Sequence, residues 1–461
     1  MQSPEECNGK GTIGSKCKRF AAVLSAVIAT ATAVSACCDE KKPEESLVSS
    51  TKSTPSNTEA PQKDQLRFLA PELKDLTGLP SYDFSNTTKK TDRDFIPKLA
   101  RGAEIPSNMS ESEFSSIGAK FAQKAKSEIA RPGKKNAREF VLNLLKTLQE
   151  IDPGAKRNLE NFQKTWNGQL PYLIAKFNQY LIVGGVYLSY AVLGNDNDKF
   201  DILPIEAVRT IKIKDESLEV PVPLFELGKG LAPKGVSNIS GDMMAESEPT
   251  YKYMVLYKQN GTAGLDTFYK RLSLFEKDVK RTPALDGQIF EDILRHESTH
   301  IFLSKKFPIA GNINEKDFSF NQKISISCGP KYELPFGGEM APIYFHEMAA
   351  IGMQMAKTDV PYPYVLAAYT GPDSQITTAD NTYGLTISML PVISVMALSE
   401  GPEKDALVKA IEAESMQKAA VFQAISKEPD RVEYQRRVGK IFFSLGHGIL
   451  GDLDKKLGQA K

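Results

Sequence analysis

An α+β fold is expected from the order in which helical and extended patterns occur along the 461 residues. Two helical patterns come first, between residues 110 and 150. A block of short, β-rich runs follows from about residue 179 to 257, and helical patterns then return and fill the chain to its end. Helices, then strands, then helices, without regular alternation, is the α+β order and not the βαβ one.

The first helix is announced by Ser110-x-x-Glu113, a capping box, and is stopped by Pro132-Gly133. The second spans about 135–150, with Phe140, Leu144 and Leu148 at helical spacing, and ends at Asp152-Pro153-Gly154. A third helical segment runs through Trp166 to Pro171. The apolar run 180–193 reads as β-rich, with the turn signal G-N-D-N-D after it, and short extended runs follow at 208–213, 218–223 and 251–257. Together they predict a small, mostly antiparallel sheet. Asn260-Gly261 marks a turn, after which a helix carries Phe268, Leu272, Phe275 and Val279 on one side. The next helix, 286–304, places Ile289, Ile293, His296, His300 and Leu303 on one stripe. Residues 342–357 read as a buried helix, and 386–398, 402–427 and 430–445 as further helices.

Composition limits the function classes. Lys+Arg total 58 against 57 for Asp+Glu, a net charge of +1 that gives no electrostatic footprint for nucleic acid. At 41% hydrophobic and 25% charged the chain has an ordinary globular composition, and its length suggests two or three subdomains. Four of the five cysteines (Cys7, Cys17, Cys37, Cys38) lie near the N-terminus, which leaves no disulfide framework for the folded part. Cys328 there reads as a small buried hydrophobe.

The N-terminal stretch reads as an address. Lys10, Lys16, Lys18 and Arg19 precede an apolar run over 20–36 that is rich in small residues, the pattern of a secretory signal. Val34-Ser35-Ala36-Cys37 resembles a bacterial lipobox, which implies lipidation of Cys37 and tethering to the membrane; the alternative is an uncleaved signal-anchor. Both place the rest of the chain outside the cytoplasm. Residues 39–65 are charged and rich in Ser, Thr and Pro, so they bury too little surface to fold. As a flexible tether they would reach roughly 30 Å.

The stretch R-H-E-S-T-H-I-F carries two of only four histidines in the chain. His296 and His300 are one helical turn apart, so both imidazoles project to one side and could grip one metal ion. Glu297 lies beside them, placed to take a proton from a metal-activated water. Two core histidines sharing a helix face is the plainer reading of the same stripe. Against it stand the scarcity of histidine and the glutamate directly after the first.

At this motif the chain resembles the zincin metallopeptidases. The resemblance implies a two-part catalytic unit: a sheet with an edge strand for a peptide, a helical part that closes the site, and one zinc between them. The third ligand is open. The metzincin pattern is excluded, because H300-I-F-L-S-K-K lacks its glycine and third histidine. In gluzincins the third ligand is a glutamate on a later helix, which matches Glu347 in the apolar Y344-F-H-E-M-A-A-I351. Many gluzincins carry an acidic residue where this chain has Ile351. The alternative is Asp380, since T377-T-A-D-N-T-Y-G384 resembles the aspzincin motif except for its first residue; Glu339 is a further candidate. Tyr383, Tyr344 and His447 are candidate donors to the oxyanion. His346 is expected on another face of its helix from Glu347.

These readings divide the chain into a signal peptide (1–36), a tether after a lipidated cysteine (37–66), a helical N-terminal region (67–178), the sheet with the H-E-x-x-H helix (179–304) and a helical C-terminal part (305–461). The function expected is a membrane-tethered extracytoplasmic zinc metallopeptidase acting on peptides or proteins. The alternative is a catalytically inactive zincin-like envelope lipoprotein that binds or scaffolds.

Overall fold

The computed structural model describes residues 66–69, 78–130, 137–152, 166–191, 199–232, 244–248, 251–258, 261–272, 280–310, 320–321, 324–327, 333–336, 339–340, 342–359, 393–395, 397–398, 401–412 and 430–459. Cys37, Cys328, Asp380 and Tyr383 lie outside the described residues, as do the signal and most of the tether. Among the described residues no helix is long and apolar enough to cross a membrane.

The N-terminal elements are β1 (Leu66–Leu69), β2 (Ser81–Lys89), α1 (Phe95–Gly102), α2 (Glu111–Ala130), α3 (Ala137–Ile151) and α4 (Trp166–Val183). The strands β3 (Val186–Ala191), β4 (Lys199–Lys214), β5 (Glu219–Leu227), β6 (Ala245–Glu248) and β7 (Tyr253–Tyr257) come next. Two helices follow, α5 (Gly261–Leu272) and α6 (Pro283–Lys306), and then the short strands β8 (Phe320–Asn321), β9 (Ile324–Ser327), β10 (Glu333–Phe336) and β11 (Glu339–Met340). Helices α7 (Pro342–Lys357), α8 (Pro402–Glu412) and α9 (Arg431–Gln459) complete the described chain. The fold is α+β.

The main sheet has strand order β2-β4-β5-β7-β6, with β3 paired to β4. Its pairings are antiparallel except β5 with β7. Both faces are covered, which is why Y253-M-V-L-Y257 is an unbroken apolar run and not an alternating one. Tyr253, Val255 and Tyr257 enter a core shared with α2, α3 and α4, whereas Met254 and Leu256 enter a second core shared with α6, α7 and α9. β5 divides in the same way: Val222 and Leu224 go to the second core, Phe225 and Leu227 to the first. The sheet is therefore the middle layer, and the H-E-x-x-H helix lies on the side away from the N-terminal helices.

Three sequence readings need correction. The run read as β-rich from residue 180 begins as helix: Tyr180–Val183 finish α4, and the strand starts only at Val186. A short, fully buried apolar run has the same appearance in either state. Gly184-Gly185 makes the break, with Gly185 in the left-handed region at φ 75°. The N-terminal region is not purely helical either. Residues 81–89, S-Y-D-F-S-N-T-T-K, form β2 at an edge of the sheet, and such a polar, largely exposed sequence gives little strand signal. Finally, α9 continues through Gly446 and Gly448 to Gln459.

The passage of α9 through Gly446 has a packing cause. A Cβ on Gly446 would stand 2.5 Å from the Phe345 carbonyl, and one on Gly352 would stand 2.3 Å from the Phe443 amide. One on Gly439 would stand 2.4 Å from the Ala356 amide. These glycines let α7 and α9 approach backbone to backbone, and the dense packing that results outweighs the helix propensity lost. Gly439→Val is expected to destabilise the fold by about 3 kcal/mol through overpacking against backbone that cannot yield. A denaturant-unfolding midpoint checks this; an unchanged midpoint would show that the helices do not touch closely.

Candidate metal centre

Helix α6 is built to start and stop where it does. Thr282 caps it, its hydroxyl accepting from the Leu285 amide at 3.2 Å; Pro283 opens it, Asp286 lies in the first turn and Lys305 and Lys306 in the last. Its middle carries polar side chains that are buried all the same: Asp292, Glu297, Ser298, Thr299, His300 and Ser304. Buried polar groups require partners: Ser298 and Ser304 donate back to the Arg295 and His300 carbonyls of the helix itself, and other partners lie on three sides.

Towards β2, the Tyr82 hydroxyl and the Thr299 hydroxyl are 2.8 Å apart, and the Arg295 guanidinium lies over the Phe84 ring at 5.5 Å. Towards β6, at the opposite edge of the sheet, the Ser247 hydroxyl donates to Glu297 Oε2 at 2.9 Å. Towards α7, His296 and His300 face Glu347. Hydrogen bonds to both sheet edges thus set the rotation of α6 about its axis. Tyr82→Phe is expected to cost about 0.5–1.5 kcal/mol, the net worth of one hydrogen bond, with metal content unchanged. Thermal unfolding and metal quantification on the same samples check both halves of that expectation.

A second tie joins the two helices that carry His296, His300 and Glu347. The Thr358 hydroxyl, just beyond α7, donates to Asp292 Oδ2 at 2.6 Å, and Arg295 Nη1 is 2.5 Å from Asp292 Oδ1. Asp292 stands one helical turn before His296, so this bond fixes the register of α7 against the part of α6 that carries the histidines.

Two imidazole nitrogens and the two oxygens of one carboxylate converge. His296 Nε2 and His300 Nε2 are 3.4 Å apart; Glu347 Oε2 lies 3.5 Å from the former and Oε1 3.6 Å from the latter. Ligand atoms held about 2.0–2.1 Å from a tetrahedrally bound ion stand roughly 3.3–3.4 Å from one another. Each imidazole nitrogen thus stands at about that distance from the other and from one oxygen of the Glu347 carboxylate, and the cluster could hold a metal ion. Burial points the same way. Glu347 is 3% exposed and its carboxylate oxygens lie against the two imidazoles, while among the described residues the Nδ1 atoms of His296 and His300 have no hydrogen-bond partner. A buried carboxylate in an apolar helix is costly unless it is paired or metal-bound, and this one faces two imidazoles.

The electrostatics follow from that crowding. Burial pushes the Glu297 carboxyl up to about 7, only partly opposed by the neighbouring His296. Burial pushes His300 down to about 4, so its ring is neutral and able to bind a metal. For Glu347, burial acts upward, but the facing imidazoles of His300 and His296 outweigh it and hold the carboxyl below its usual range. For His296, burial acts downward and the Glu347 carboxylate overrides it, so the net shift is upward. A carboxyl poised near neutrality next to a candidate metal cluster can both take and give a proton.

Of the residues singled out in the sequence, His296, Glu297, His300 and Glu347 come together. Tyr344 is half-buried on α7, three residues before Glu347 and hence on a neighbouring part of the same helix side. His346 is fully buried and its ring stacks on His300, centroids 5.9 Å apart and 18° between planes. His447 packs its ring against Phe307 and Phe443, with centroids 4.9 and 5.5 Å away, just past the C-terminal end of α6. Glu339 falls in β11, paired with Asn321. Ile351 is buried in the core and offers no carboxylate to either histidine. Ser247, Tyr82, Asp292 and Thr358 were not singled out from the sequence, because each reaches the site through a long-range contact that no local pattern announces.

Compared with family models, with curated proteins and with solved structures, the chain matches none of them.

Proposed function

We propose that this chain is an extracytoplasmic zinc metallopeptidase of the gluzincin type, held at a bacterial membrane by a lipid on Cys37. The observation that carries the reading is the convergence of His296, His300 and Glu347 at 3.4–3.6 Å, with Glu297 beside them but turned to the sheet edge. Two imidazoles and one carboxylate are a donor set of catalytic zinc sites, which keep a fourth position open. The address at residues 1–66 supports the location.

When bound, zinc would polarise the scissile carbonyl and lower the pKa of a water towards about 7. The chain's own residues do the rest. Glu297 accepts the proton of the attacking water on its carboxylate and passes it to the leaving amine. Ser247 holds one oxygen of that carboxylate. Strand β6 supports a peptide substrate: among the described residues it has a strand partner on one side only, β7, and it lies over α6 at Glu297. An extended peptide added to such an edge gains main-chain hydrogen bonds and is delivered in a fixed register. Tyr344, on the ligand helix, is the donor we assign to the oxyanion, with Tyr383 and His447 as the alternatives.

The test is hydrolysis of fluorescently labelled casein by the full-length chain. Cleavage that stops with 1,10-phenanthroline and returns with added zinc is expected. A zinc-loaded protein that cleaves neither casein nor a mixed peptide library would contradict it and favour the binding or scaffold reading.

A further inference from the structure

We infer that Ser247 is a positioning residue through which peptide capture on β6 aims the general base. The inference rests on the metallopeptidase reading above and adds a link between two parts of the site that the sequence leaves unconnected.

Successive residues of a strand point to opposite faces, and β6 uses both. At the back, Glu246 is buried, and its Oε1 accepts from the hydroxyls of Tyr187 and Tyr257, the latter at 2.8 Å. Ser189 adds a 3.0 Å hydrogen bond to Tyr257. At the front, Ser247 donates to Glu297 Oε2 at 2.9 Å. The backbone between them pairs with β7, Glu246 opposite Val255 and Ser247 opposite Met254. The strand is therefore pinned from behind by two tyrosines, while its next side chain holds the carboxylate that must move a proton. Binding Oε2 leaves Oε1 to take it.

Ser247 is only half-buried and β6 is only four residues long, so the front of the clamp is its loose side. A peptide that pairs with the open edge of β6 would steady Ser247 and, through it, Glu297. Binding energy from parts of the substrate remote from the scissile bond would then appear in kcat and not only in KM.

The experiment uses the full-length, zinc-loaded chain and internally quenched casein-derived peptides graded from about four to about eight residues. For the wild type, kcat should rise with peptide length. Ser247→Ala should keep its zinc and its KM within about twofold, yet lose about ten- to a hundredfold in kcat, the rate equivalent of one hydrogen bond to a charged group. Its kcat should no longer respond to length. Ser247→Thr, which keeps the hydroxyl, should restore both. A crystal structure of zinc-loaded Ser247→Ala should show the Glu297 carboxylate turned away from its wild-type orientation. A Ser247→Ala enzyme with wild-type kcat and length dependence would overturn the inference alone. So would a loss of kcat that tracks a loss of zinc. A wild type that binds zinc and cleaves nothing would overturn the proposed function, and the inference with it.

Discussion

Glu297→Gln is expected to retain metal and to lose at least about 10²–10⁴-fold in turnover, the range a positioned general base supplies. Gln has the size of Glu, and its carbonyl oxygen can still accept from Ser247, so the helix has no reason to shift. What it lacks is a site for the water's proton. Metal retention follows from geometry: Glu297 faces β6, whereas His296 and His300 face Glu347 on α7. Metal content and casein hydrolysis, measured on the same preparation, separate the two roles. A variant that cleaves at the wild-type rate would remove Glu297 from the mechanism; one that loses its metal would make Glu297 a ligand.

Glu347→Ala is expected to abolish tight metal binding while leaving a folded protein. Loss of a residue that merely supports a ligand costs about 10–100-fold in affinity, so loss of a ligand should cost more than about 100-fold. Stability offers an independent readout. A ligand that binds only the native state at a thousandfold over its Kd adds about 4 kcal/mol. Zinc should thus raise the melting temperature of the wild type by several degrees and that of Glu347→Ala hardly at all. Without metal the variant should not be much less stable than the wild type, because a buried carboxylate recovers in pairing little more than its desolvation costs. Asp380→Ala, by contrast, should keep both the metal and the zinc-dependent rise. The reverse pattern would transfer the third ligand from Glu347 to Asp380.

The candidate centre was largely legible in the sequence because its chemistry is local. His296, Glu297 and His300 lie within five residues, and helical periodicity alone puts the two rings on one side. Glu347 was legible for another reason, as a carboxylate inside an otherwise apolar helix whose bounds, 342–357, the structure reproduces. The capping box was equally local: the Ser110 hydroxyl accepts from the Glu113 amide at 3.2 Å and α2 begins there. The failures are all non-local. Ser247 sits in M-A-E-S-E, which signals nothing until β6 is brought against a helix 50 residues on. Strand β2 is polar because it is an edge with one exposed side, so its pairing with β4 depends on a partner more than 100 residues away. The boundary at Gly184-Gly185 was misplaced because a buried run looks alike as helix or strand. Helix α9 outran its expected end, and at Gly446, the first residue past it, close packing on α7 rewards a glycine that propensity penalises.

The most direct test of the account is the metal content of the purified full-length wild-type chain, determined by mass spectrometry after exposure to zinc and removal of the excess. The spacing of His296, His300 and Glu347 predicts about one zinc per chain. A folded protein that holds no zinc would mean that R-H-E-S-T-H-I-F is a core helix with two buried histidines, and the enzyme reading would fall with it.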